Sequence, residues 1–310
     1  MLLADSLGWE RDAAFAEFFD WKHTENPFGE SPAWVALAGD DIVGFRTFLR
    51  WQFEDRHRAI RHAVRAVDTA TSPAFQGRGI FRQLTMTGVE TLIDAGVDFV
   101  FNTPNANSRP GYLRMGWSEV GRLPLVVRVA GIPSVLRMRE SRVAAQRAPI
   151  ATSAGMPAGE LLADARVPAL LDALAPPRGL RTARTAAYLR WRYGLAALGY
   201  RAVAVDDDPG AGVAVFRLRQ RGRAVEAGIS EVLVPAESAA AERRLLRMVA
   251  REAAADYAIR VGGTDARTLR AGFVPFPRQG PILTWRPLAD RAAPPALRDL
   301  DLALGDVELL

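Results

Sequence analysis

The segment from Thr69 to Leu84, TATSPAFQGRGIFRQL, constrains this chain more than any other. β-Branched and small residues run toward Pro73 as in a strand, and Gln76-Gly77-Arg78-Gly79 then breaks the pattern. From there Ile80, Leu84, Met86, Val89, Leu92 and Ile93 recur at roughly helical spacing until Gly96. A glycine turn between strand and helix exposes backbone N–H groups at a helix N-terminus, where aligned peptide dipoles place about half a positive charge. Such a turn binds a pyrophosphate. The dinucleotide fingerprint GxGxxG is excluded, because Arg82 stands where its third glycine belongs.

Other chemistries are excluded as firmly. Cysteine is absent, which removes disulfides, thiolate metal sites and a cysteinyl intermediate together. His23, His57 and His62 show no HExxH spacing, so no catalytic metal is expected. Neither a GxSxG elbow nor a GxxxxGK[ST] loop is present. Lys22 is the only lysine, and the other 39 of the 40 basic residues are arginine. The net charge of +5 is spread along the chain, so no nucleic-acid partner is expected. No apolar run reaches the ~18 residues of a membrane span and the opening residues lack signal-peptide character, so the expected address is cytoplasmic, with no membrane partner.

With 310 residues the chain exceeds one ordinary core. Residues 11–22 read as a short helix, AWVALAGDDIVGFRTFLRW as a hairpin over Gly39-Asp40-Asp41, and AVRAVDTAT as a strand. VDFVFNT, NSRPGYLRMG and WSEVGRLPLVVRV then read as strand, short helix and strand. Residues 131–180 change character, with an Ala/Ser/Gly/Pro stretch over 148–159, and read as a linker with one helical patch, ELLADARVPALLDAL. The second half repeats the order of the first: Tyr188-Leu189-Arg190-Trp191-Arg192-Tyr193 answers Phe18-Phe19-Asp20-Trp21-Lys22-His23, and ADYAI with GPILTWRPL answers VDFVF with LPLVVRV. The expected division is 1–130, a linker over 131–180, and 181–310.

Pro73-Ala74-Phe75-Gln76-Gly77-Arg78-Gly79 resembles the pyrophosphate loop [Q/R]-x-x-G-x-[G/A] of the GNAT acyltransferases. Phe81 departs from that family's small final residue. Downstream, Asn105 is followed seven residues on by Tyr112-Leu113-Arg114-Met115-Gly116-Trp117, similar to the superfamily's asparagine and Tyr-x-x-x-Gly-aromatic helix. The resemblance covers about residues 10–130 and continues faintly over 182–290, like tandem GNAT proteins. It implies an α/β (α+β) fold of two GNAT-like units, each a mixed, mostly antiparallel sheet flanked by helices. The C-terminal copy is degenerate: Val234 to Ala240 carries no glycine, and Glu237 and Glu242 repel phosphate.

The implied activity is an N-acetyltransferase that moves an acetyl or other short acyl group from acyl-CoA to an amine of a small molecule or peptide, by direct attack in a ternary complex. Gln76, Gly77, Arg78, Gly79, Ile80, Phe81 and Asn105 would bind the cofactor's phosphate end, and Thr69, Ala70 and Thr71 its pantetheine arm and thioester. Tyr112 would face the leaving sulfur. Many relatives carry a strand glutamate where Arg65 stands here, so the expected proton acceptor is Asp68 or Glu54 through water. Two other functions fit part of the pattern: an acyl-CoA-binding regulator without turnover, and an aminoacyl-tRNA-dependent transferase, which the intact phosphate loop disfavours. A tandem chain is expected to be a monomer.

Overall fold

The computed structural model describes residues 2–3, 13–140, 143–146, 148–236, 238–263, 265–288 and 294–308. Helix α1 (Ala13–His23) buries Phe18 and Trp21 and is followed by the expected hairpin of β1 (Ala33–Ala38) and β2 (Asp41–Glu54). A second, longer hairpin pairs β2 with β3 (Ile60–Thr71) from Glu54↔Ile60 to Gly44↔Thr71. β2 is covered on both faces, which is why Phe48, Leu49, Trp51 and Phe53 are all buried rather than alternating with polar residues.

Helix α2 (Ile80–Asp94) buries Leu84, Thr85, Gly88, Val89 and Leu92, one stripe at helical spacing. It lies close against β2 because two positions are glycine. A Cβ on Gly44 would come within 2.5 Å of the Ile80 side chain, and one on Gly88 within 2.7 Å of the Phe48 ring. β4 (Phe99–Asn102), the short helix α3 (Arg109–Arg114) and β5 (Ser118–Arg122) follow.

The stretch WSEVGRLPLVVRV differs from the single strand expected. It breaks at Leu123-Pro124, where proline supplies no N–H to a ladder. Its second part, β6 (Leu125–Val129), pairs with β12 (Tyr257–Val261), whereas β5 pairs with β14 (Ile282–Pro287). The residues therefore divide into two units that interleave along the chain. One gathers Met1–Arg122, Arg178–Ala183 and Pro281–Leu300; the other gathers Leu123–Pro177, Arg184–Gly280 and Asp301–Leu310. This departs from the linear division at 130 and 180.

With β8 (Leu180–Thr182) and β15 (Leu300–Asp301), the first sheet has the order β15-β8-β2-β3-β4-β14-β5, and β1 pairs with β2. The second contains β7 (Met156–Pro157), β9 (Arg201–Val205), β10 (Asp208–Arg221), β11 (Ala224–Leu233) and β13 (Val274–Pro275), in the order β13-β6-β12-β11-β10-β9-β7. Each sheet carries a parallel pair, β3–β4 and β11–β12, among antiparallel neighbours. This is the expected mixed α/β architecture, two mixed sheets flanked by helices.

The stretch read as a linker is largely structured. It contains α4 (Ile132–Arg139), α5 (Ala158–Leu162) and α6 (Val167–Asp172), which bury Leu161, Leu162, Val167 and Leu170 in the second unit. The helical patch is two helices because the Asp164 carboxylate accepts the Arg166 amide at 2.9 Å and Pro168 starts a new turn. In that unit α7 (Ala186–Gly194), the β10–β11 hairpin, α8 (Ala239–Glu252), β12 and α9 (Ala266–Arg270) repeat the order α1, β2–β3, α2, β4, α3.

Candidate active site

The turn from Gln76 to Phe81 is built by two left-handed glycines. Gly77 has φ of +76° and Gly79, the N-cap of α2, has φ of +79°. A Cβ on either would meet nothing within 4 Å, so backbone conformation rather than crowding selects glycine here. The first helix amide with a backbone acceptor is that of Gln83, bonded to the Gly79 carbonyl at 3.0 Å. The amides before it point out of the helix N-terminus, the arrangement that receives an anion. Gln76 reaches back to the Thr71 carbonyl and Arg78 lies over the Phe75 ring at 4.7 Å, both exposed beside the turn. The ring of Phe81 turns away from it, edge-on to Tyr112 at 5.6 Å. A Cβ on Gly111 would come within 3.2 Å of that ring. The bulky residue at this position thus packs against α3.

The strand before the turn parts from its neighbour. β3 pairs with β4 at Ala63↔Phe99, Val64↔Val100 and Arg65↔Phe101 and no further, so among the described residues Ala66 to Thr71 have no strand partner on that side. On the other side the register with β2 slips between Arg46↔Thr69 and Thr47↔Val67, which makes Asp68 a bulge residue with φ of +37°. Ala70 is buried, and the Thr69 hydroxyl donates to the Phe45 carbonyl at 3.2 Å.

The bulge aims Asp68 at the end of α1. Its carboxylate lies 2.7 Å from Lys22 Nζ and 2.8 Å from His23 Nε2. Burial alone would raise the carboxyl's pKa, but the Lys22 charge and the His23 hydrogen bond outweigh it and hold the group well below the usual carboxylate range. Asp68 is therefore a poor proton acceptor, contrary to its expected role. For His23 burial dominates and lowers the pKa despite the adjacent carboxylate. An ionised carboxylate only accepts, so Nε2 carries the imidazole proton. That leaves Nδ1 as a lone pair, buried and without a partner among the described residues. The Lys22–His23–Asp68 cluster escaped the sequence reading, although a solitary lysine among 39 arginines was a signal.

Glu54 is not at this site. The hairpin register sets it opposite Ile60, eight residues along β2 from Arg46, or about 27 Å at the rise of an extended strand. There it accepts from Arg181 Nε at 3.0 Å and faces Arg58 at 3.6 Å. Asn105 stands at the turn that leads into α3: its Oδ1 accepts from the amides of Asn107 and Ser108 at 3.0 and 2.9 Å. Tyr112, buried on α3, packs between Phe81 and Trp117, and its hydroxyl accepts from Arg46 Nη1 at 2.9 Å.

The corresponding places in the second unit are filled. Between Val215↔Glu231 and Phe216↔Ile229 the register slips at Ser230, the counterpart of Asp68. Arg192 and Tyr193, the counterparts of Lys22 and His23, face the C-terminal helix α10 (Leu304–Val307): Arg192 Nη2 donates to the Gly305 carbonyl at 2.9 Å. A Cβ on Gly305 would collide with the Tyr193 hydroxyl. At the N-terminus of α8 the amides of Ala236, Ser238 and Ala241 all have backbone acceptors, and Glu242 of the first turn pairs with Arg260 at 2.9 Å. Glu237 lies outside the described residues.

Comparison with known proteins bears on this geometry. Residues 2–120 match the family model described as an acetyltransferase (GNAT) domain. No curated protein matches the chain by sequence. A probable N-acyltransferase from Enterococcus faecalis V583 superposes with a TM-score of 0.62 at 13% identity, covering 93% of this chain and 68% of that one. GCN5-related N-acetyltransferases from Anabaena variabilis and Kribbella flavida give TM-scores of 0.61 and 0.62 at 11% and 16% identity, over 93% and 92% of this chain and 69% and 67% of theirs. These likenesses extend the fold beyond the matched residues. The phosphate-type turn, the parted strands and the aromatic helix all lie within residues 2–120, the part of the chain that is similar to an acetyltransferase (GNAT) domain.

Proposed function

We propose that the chain transfers an acetyl or other short acyl group from acyl-CoA to an amine, in a ternary complex on its first unit. The observation that carries this reading is the meeting of two features at one end of β3: amides from Gly77 to Arg82 with no backbone acceptor among the described residues, and a strand edge from Ala66 to Thr71 left open by β4. The first suits a pyrophosphate and the second an extended pantetheine arm with amide groups of its own. An N–H of that free edge, near Thr69 to Thr71, polarises the thioester carbonyl. His23, kept neutral by burial and oriented by Asp68, accepts the attacking amine's proton at Nδ1. Tyr112 gives its proton to the departing sulfur. The second unit takes no CoA: its strand-to-helix turn carries no glycine, Glu242 puts a carboxylate in the first turn of α8, and Arg192, the counterpart of Lys22, is held by the Gly305 carbonyl.

The test is thiol release from acetyl-CoA in the presence of a panel of small amines and peptides. Wild type should release thiol with at least one acceptor. Tyr112→Phe should lower kcat by roughly 100-fold with acetyl-CoA affinity nearly constant, in the range typical of a lost general acid. Binding of acetyl-CoA without any thiol release would instead support a regulator without turnover. One observation favours that second reading: both expected carboxylate bases are held by cations, Asp68 by Lys22 and Glu54 by Arg181.

A further inference from the structure

Arg46 is 1% exposed, yet among the described residues it has no carboxylate partner. Its Nη1 donates to the Tyr112 hydroxyl at 2.9 Å, while Nε and Nη2 are buried without a partner. The guanidinium lies 4.5 Å from the centroid of Phe48, 5.5 Å from Tyr112 and 5.8 Å from Phe81. Three ring faces offset part of the desolvation of a buried cation, but hydrogen-bond donors left unmade still cost stability. A side chain this expensive to bury invites a functional reading.

The direction of its one hydrogen bond supplies that reading. A guanidinium has five N–H donors and no acceptor, so the phenol oxygen must accept. Tyr112 therefore does not spend its own proton on Arg46, and no other acceptor for that proton exists among the described residues. The strand register fixes where this happens. Arg46 pairs with Thr69, the first residue past the bulge and within the stretch of β3 that β4 leaves open.

We propose that Arg46 is the positioning residue for acid catalysis by Tyr112: it occupies the phenol oxygen's lone pair, turns the hydroxyl proton toward the leaving sulfur, and stabilises the phenolate left behind. This rests on the reading of Tyr112 as the acid. In the step, the amine nitrogen forms a bond to the acyl carbon and gives up a proton to His23 Nδ1, and the carbon–sulfur bond breaks with its electron pair on sulfur. The Tyr112 proton passes to that sulfur. The phenolate is held by the Arg46 N–H until solvent reprotonates it.

The experiment is a double-mutant cycle of Arg46→Met and Tyr112→Phe, reading thiol release from acetyl-CoA with the fastest acceptor of the amine panel, and thermal melting of each variant. Arg46→Met should lower kcat about 10- to 100-fold while KM for acetyl-CoA changes little, the effect of losing a charge-assisted hydrogen bond made in the transition state. Arg46→Lys, which still donates, should recover part of the loss. In the Tyr112→Phe background Arg46→Met should cost less than about threefold, because the group it serves is gone. An equal loss in both backgrounds, or a change confined to KM, overturns the proposal and leaves Tyr112 as the acid. A Tyr112→Phe protein with unchanged kcat overturns the reading beneath it, and the proposal with it. Should Arg46→Met fail to fold, the cycle is run with Arg46→Lys, and the absence of coupling to Tyr112→Phe is then the contrary result.

Discussion

Asp68 shows how one residue's role is set by what the fold brings to it. A carboxylate on a strand beside an expected thioester invites assignment as a base, yet α1 delivers Lys22 and His23 to it from 46 and 45 residues away. Asp68→Asn would remove the carboxylate charge that lies 2.7 Å from the buried Lys22 ammonium, and breaking a buried pair from one side costs about 3–5 kcal/mol. The pH dependence follows from the directions of the shifts. The folded pKa of Asp68 is depressed, so its contribution is full above the unfolded value near 3.9 and is lost as pH falls through the lower folded value. His23 is depressed below 6.5, so the native state gains relative stability above that value and loses it as pH falls and the unfolded chain takes up the proton. Urea unfolding should therefore show wild type weakening progressively below about pH 6.5. The gap between wild type and Asp68→Asn should be largest near neutrality and narrow below about pH 4; a gap that widens on acidification contradicts the ion pair.

Among the elements, the turn into α2 is the one whose chemistry was legible in advance. Positive φ at two positions within three residues of a helix start is a local demand, and glycine answers it wherever the sequence places the turn. Gly79→Ala would force an L-residue into the left-handed region at a cost of about 1–2 kcal/mol. Because a Cβ there meets nothing in the protein, the strain falls on the turn's conformation rather than on packing. Calorimetry should show acetyl-CoA affinity reduced at least about tenfold, the equivalent of ~1.4 kcal/mol, with only a modest drop in melting temperature. Unchanged affinity would mean that the turn does not hold the phosphates. Helix α3 was equally legible from Tyr112 to Trp117, but not the turn ahead of it, which the Asn105 side chain closes through the amides of Asn107 and Ser108.

For the whole molecule, the two sheets draw on strands distant in sequence, with β14 completing the first and β6 the second. A chain that completes both sheets from its own strands and carries one open phosphate turn should bind one acetyl-CoA per chain. Titration calorimetry giving a stoichiometry of two would refute the restriction of CoA binding to the first unit. We also expect a monomer, and light scattering should return a mass near 33.8 kDa rather than twice that.

By itself the sequence determined what depends on neighbours along the chain: the glycine turn, the helical stripe from Ile80 to Leu92, the β1–β2 hairpin, the Tyr112 helix, and the repeated order of elements in the two halves. Each follows from φ preferences and from periods of two or 3.6, which a window of a few residues contains. Pairing partners are not written in such a window. The strands WSEVGR and LPLVVRV look continuous in sequence, yet Pro124 parts them into different sheets. The tertiary structure alone set Glu54 at the far end of the β2–β3 hairpin, paired Asp68 with the chain's only lysine, and buried Arg46 against the Tyr112 hydroxyl. Those outcomes turn on electrostatic and steric partners 45 to 127 residues away, because a side chain's charge state and hydrogen-bond direction depend on what is packed around it, not on what precedes it.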